Sequence, residues 1–124
     1  MAKLSVDEVL YAAADLIEVN GLCQGDYWPG ANGEWRYVPG DPVCTFGACA
    51  VVLGVEYPWA ADMPDVVEDI ADALDEVVGE WVPGWNDAPG QTAERVVSVL
   101  RACALMVAAR REPLDFTTQR SGRV

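Results

Sequence analysis

The segment from Val96 to Ala109 constrains the fold of this chain more than any other. Of its fourteen residues only Ser98 and Arg101 are polar. That is too short and too interrupted for a membrane span, which takes roughly 18 apolar residues. Its Leu, Ala and Met favour helix, and a helix that is apolar on every side has to be surrounded. The expectation is therefore a helix from Ala93 to about Arg110 at the centre of a helical bundle, stopped by Glu112-Pro113.

The rest of the chain supplies helices to surround it. Ser5-Val6-Asp7-Glu8 is a capping box, followed by Val9, Leu10, Ala13, Leu16 and Ile17 on one face and closed by Asn20-Gly21. Asp41-Pro42 reads as an N-cap and first helical residue, and Val43 to Leu53 is apolar with small residues that permit close approach, ending at Gly54. A further helix runs from Pro64 to about Val78. Its apolar half carries Val66, Val67, Ile70, Leu74 and Val77, and the opposite arc carries Asp65, Glu68, Asp69, Asp72, Asp75 and Glu76. Between the first two helices, Cys23–Trp28 and 34–38 flank the glycine-rich turn Pro29–Gly33, the pattern of a β-hairpin. The fold class is thus mainly α, a compact bundle of about four helices with a β-hairpin-like insert between the first and second. At 124 residues the chain forms one domain, 1–112, with 113–124 as a loose tail.

Charge narrows the function. The net charge is −12, and up to Glu94 eighteen acids face only Lys3 and Arg36. An acidic body repels nucleic acid and anionic membrane, so neither direct nucleic-acid binding nor a membrane is expected. The chain starts directly into helical patterning without a signal-peptide core, which points to the cytoplasm. Cys23, Cys44, Cys49 and Cys103 match no zinc spacing, and there is no histidine. No phosphate loop or EF-hand pattern occurs either, so neither a metal nor a cofactor is expected.

Two segments hold more chemistry than a connector needs: Gly21-Leu22-Cys23-Gln24-Gly25, and Trp85-Asn86-Asp87-Ala88-Pro89-Gly90-Gln91-Thr92 ahead of the last helix. Cys23 as nucleophile, Gln24 as oxyanion donor and Asp87 as base would make a cysteine-dependent small-molecule enzyme. A thiolate, however, needs a cation or histidine beside it, and acids raise its pKa instead. The same residues also suit a purely structural role, tying loops to helix ends, with Thr92 as a helix cap and Trp85 plugging a gap. Trp28, Trp35, Trp59, Trp81 and Trp85 all fall outside the expected helices, and tryptophans in loops mark binding surfaces.

Taken in order, Gly-x-Cys-Gln-Gly, Cys44-x-x-Gly47-Ala48 and Trp-Asn-Asp-x-Pro-Gly-x-Thr before an apolar helix resemble a family of small actinobacterial and phage proteins catalogued as a domain of unknown function. The resemblance runs roughly from Ser5 to Ala109. This chain has Gln91 where that family usually has arginine, so no anion-binding role carries over to the position. The resemblance implies a self-contained fold unit and, as a setting, an accessory or phage-type host-interaction factor.

The functional expectation is a small acidic cytosolic protein-binding module without catalytic activity. Its binding residues would be Trp28, Trp35, Trp81, Trp85, Asn86 and Asp87, together with Asp65, Asp69, Asp72 and Glu76 on the acidic face. Its partner would be another protein, with self-association as a further possibility. The alternatives are the Cys23 enzyme and a nucleic-acid mimic that uses the acidic helix to occupy a basic site.

Overall fold

Helix α1 (Val6–Asn20) begins as the capping box requires. The Glu8 amide donates to Ser5 Oγ at 3.4 Å, and the Ser5 amide to Glu8 Oε1 at 2.8 Å. It ends at Gly21, whose φ of 99° suits a residue without Cβ. The computed structural model describes residues 4–33, 35–56 and 63–111, and within them four more helices follow. These are α2 (Thr45–Val52), α3 (Val66–Val78), α4 (Val82–Asn86) and α5 (Ala93–Arg111). Trp59 and the expected tail 113–124 lie outside the described residues.

The central helix is α1 rather than the apolar last one. Val9, Leu10, Ala13, Ala14 and Ile17 are all fully buried, and α1 packs against α5, α2 and α3. Helix α5 buries Val96, Val97, Leu100, Cys103 and Ala104 against α1 and α3, and its outer side faces solvent, with Leu105 64% exposed. Apart from Leu105 the exposed residues of α5 are polar or are alanines, which leaves little apolar area wet, so full enclosure is not needed. Buried residues of all five helices join one core, together with Trp28 and Val43 from the connection between α1 and α2.

The expected β-hairpin does not form. No strand occurs among the described residues, only one parallel bridge between Leu22 and Val43. Side chains take the place of a strand ladder. Asp26 accepts from the amides of Tyr27 (2.8 Å) and Asn32 (2.9 Å), a single 3-10 turn spans Ala31–Gly33, and the Trp28 indole N–H donates to the Trp35 carbonyl at 2.8 Å. With those backbone groups satisfied locally, a two-stranded pairing has nothing to add. Trp28 and Tyr37 meet edge to face at 5.8 Å, and Asn20 fastens the loop by donating to Tyr37 Oη and the Asp41 carbonyl.

Helix α2 starts three residues later than its Asp-Pro signal suggests. Val43 is held in extended backbone by Cys23 N–H (2.9 Å) and by the Gly21 carbonyl (3.1 Å). The cap is Cys44, whose Sγ accepts from the Gly47 amide at 3.2 Å. Asp41 instead closes its own turn by accepting from the Val38 amide. Helix α4 adds an element to the four expected, a single turn begun by Val82-Pro83.

Candidate functional site

The three motifs that stand out in sequence meet at Asn86. This side chain, at the end of α4, is 2% exposed and uses its whole hydrogen-bonding capacity. Its Oδ1 accepts from the Thr45 amide (2.9 Å) and hydroxyl (2.7 Å) at the start of α2, and its Nδ2 donates to the Cys23 carbonyl (3.1 Å) and to Asp87 Oδ1 (2.8 Å). Gln24 reaches back across the joint, donating both amide hydrogens to the carbonyls of Asn86 (3.1 Å) and Ala88 (3.0 Å). Asp87 Oδ1 also accepts from the Gly25 amide at 3.0 Å. One polar knot therefore ties the exit of α1, the entry of α2 and the end of α4. No buried side-chain polar atom among the described residues is left without a partner.

Gly47 belongs to the same joint. The Tyr27 carbonyl accepts from the Cys44 amide at 3.0 Å and lies so close over the first turn of α2 that a Cβ on Gly47 would sit 2.3 Å from it. Downstream of the knot, Gln91 Nε2 donates to the Trp85 carbonyl at 3.0 Å, and Thr92 Oγ1 accepts from the Arg95 amide at 3.2 Å as a helix cap.

Cys23, Gln24 and Asp87 are thus brought together, with Gln24 and Asp87 engaged in the hydrogen bonds of the knot. Both Gln24 amide hydrogens are committed to carbonyls, and Asp87 holds a loop amide. Burial, then the nearby carboxylates of Asp26 and Asp87, pushes the Cys23 thiol above its ordinary pKa. Burial drives Cys44 up to about 11 and Cys49 to about 12. Each shift disfavours a thiolate at neutral pH. No cluster of metal-ligating side chains occurs among the described residues.

Residues 1–105 match the family described as "Family of unknown function (DUF6197)". The chain belongs to this family. The matched span contains every segment of the knot, from Gly21–Gly25 through Cys44–Gly47 to Trp85–Thr92. Nothing among the curated proteins or the solved structures matches the chain. No helix among the described residues is long and apolar enough to cross a membrane.

In this family member the tryptophans divide by exposure. Trp28 is fully buried, so it forms core and offers no surface. Trp85, together with Asn86, belongs to α4 rather than to a loop, and its half-buried ring packs against the core. Trp35 and Trp81 are 71% and 75% exposed. Each lies on a glycine: Trp35 over Gly30 and Gly33, Trp81 over Gly84.

The acidic face divides as well. Asp65, Glu68, Asp69, Asp72 and Asp75 are exposed and make no ion pair with the described residues. Glu76, expected among them, is instead held by a bidentate contact from Arg110 at 2.6 and 2.9 Å. The arginines of α5 clamp the bundle: Arg101 pairs with Asp15 and Glu18, Arg110 with Glu76, and Arg111 with the buried Asp7. A concavity beside the knot went unseen in sequence, because Asp26, Tyr27 and Phe46 carry no motif and meet only through the fold.

Proposed function

We propose that this protein is a small acidic cytoplasmic protein-binding module that engages a basic surface of its partner through the exposed face of α3 and Trp81. One observation carries the reading: carboxylates without an ion-pair partner among the described residues line a helix that leads, three residues past its end, into an indole 75% exposed. The thirteen residues of α3 extend about 20 Å. Asp65 at its start and Glu68, Asp69, Asp72 and Asp75 along it pair with no cation among the described residues, and Glu80 continues the run to Trp81. Carboxylates in that arrangement steer a basic partner and raise its association rate, while a desolvated tryptophan supplies the holding energy. The actinobacterial and phage setting implied by the sequence resemblance suits an accessory or host-interaction factor of this kind.

A partner recovered by affinity enrichment permits a kinetic test. Asp69→Lys with Asp72→Lys slows association and flattens its salt dependence, and Trp81→Ala speeds dissociation about tenfold or more. If both rates stay at their wild-type values, the reading fails. Enrichment of the protein alone would replace it with self-association through Trp35 and Trp81. Competition by DNA for the partner would mark α3 as a phosphate mimic.

A further inference from the structure

We infer that the concavity between the Gly25–Tyr27 loop, the start of α2 and α4 is a binding site for an alkyl cation, a guanidinium or ammonium group on an aliphatic stem. The cavity measures about 230 Å³ and its walls include Asp26, Asp87, Tyr27, Phe46 and Pro83. That is smaller than the roughly 300–1,000 Å³ of pockets for drug-sized ligands, and suits one side chain or a small amine.

The lining selects for charge. Two carboxylates contribute to it and no cationic side chain does. Asp87 is oriented through Oδ1 alone, by the Gly25 amide and Asn86 Nδ2, and its second oxygen accepts no hydrogen bond from the described residues. Both Asp26 oxygens accept backbone amides, which fix the group but leave its charge unpaired. The upward push of Asp26 and Asp87 on the Cys23 thiol, second to that of burial, registers the same negative field. An anion is repelled here, and a neutral donor that bonds a carboxylate lacks the ion-pair attraction that a cation adds.

The aromatic wall selects for the stem. Tyr27 and Phe46 also line a second concavity of about 310 Å³ that runs past Met63 and Val67 to Glu68. A methylene chain can lie along these rings while its charged head meets carboxylate, and aromatic faces attract cations as well. The knot presets the site, so little ordering cost opposes binding. The inference goes beyond the α3 surface proposed above, requires no contact with Trp81, and its test leaves α3 unaltered.

Amide NMR of the intact protein at low salt, titrated with agmatine, tests it. The Gly25 and Phe46 amides should shift saturably. N-butylurea, which keeps the butyl stem and a planar head but carries neither of agmatine's charges, should produce no saturable shift. Asp87→Asn keeps both hydrogen bonds to Oδ1 and removes only the charge, and should weaken agmatine about tenfold or more. An acetylated, amidated arginine that binds as well as agmatine assigns the site to a peptide side chain. Exclusion of that arginine while agmatine binds assigns it to a free amine, and both results support a cation site. Equal binding of N-butylurea, unchanged affinity in Asp87→Asn with a native amide spectrum, or no saturable shift up to about 10 mM agmatine overturns the inference.

Discussion

The Asn86 side chain makes four hydrogen bonds that join three segments of the fold. Asn86→Ala would strand the Thr45 amide and hydroxyl and the Cys23 carbonyl inside the protein, and should cost about 3 kcal/mol in denaturant unfolding. Asn86→Asp keeps shape and acceptor but puts a carboxylate against the Cys23 carbonyl and Asp87, so it should be no milder. Unfolding midpoints near wild type for both variants would show that the knot is incidental. Cys23 invites a different measurement, the pH dependence of iodoacetamide labelling in the native protein. Because burial and two aspartates raise its pKa, labelling should stay slow through neutral pH and climb only above the ordinary thiol range. An inflection below about 7 would reinstate a reactive cysteine.

At the level of elements, the joints between helices decide what each helix does. Gly47→Ala places a methyl against the Tyr27 carbonyl, and backbone on both sides must move. It should destabilise the protein although alanine favours helix by about 1 kcal/mol, and thermal melting reads the sign directly. Thr92→Ala should cost about 1 kcal/mol through loss of the cap on α5. The contact of α5 with α1 carries a pH signature. Burial raises the Asp7 carboxyl, but the Ser5 hydroxyl and Arg111 outweigh it and hold the pKa below the ordinary value. A carboxyl lowered on folding stabilises above its unfolded pKa and loses that contribution as pH falls through the folded one. The stability gap between wild type and Asp7→Asn should therefore be full at neutral pH and shrink as pH falls below the ordinary aspartate range. A gap that does not depend on pH would mean that the ion pair contributes nothing. The helices were legible where the signal is local: the Ser5–Glu8 box, the two-faced pattern of α3 and the Thr92 cap lie within a few residues of what they control. The hairpin reading failed because the bonds of Asp26 and Trp28 to nearby backbone leave no trace in an alternation of residue types. The short α4 was hidden by its Pro-Gly composition. The central place of α1 was masked because hydrophobicity all round α5 speaks to solubility in a core, not to how many neighbours the fold supplies. The motif residues of the knot were visible as unusual, whereas the pairing of Asn86 with Thr45 and the concavity beside them arise only in three dimensions.

For the whole molecule, the distribution of charge separates scaffold from surface. Arg101, Arg110 and Arg111 of α5 pair with acids on α1 and on the last turn of α3, and so link those helices. The acids of the exposed α3 face have no such partner among the described residues, and an indole follows them. The residues that most resemble catalytic chemistry thus maintain the fold, and the side left open is the one proposed to meet a partner. Quantitative affinity enrichment from native lysate tests that division in one measurement, with wild type, Cys23→Ser and Asp69→Lys with Asp72→Lys carried in parallel. The account predicts that Cys23→Ser enriches the same proteins as wild type and that the charge-reversed variant loses them. Loss with Cys23→Ser and retention with the reversed α3 face would contradict it.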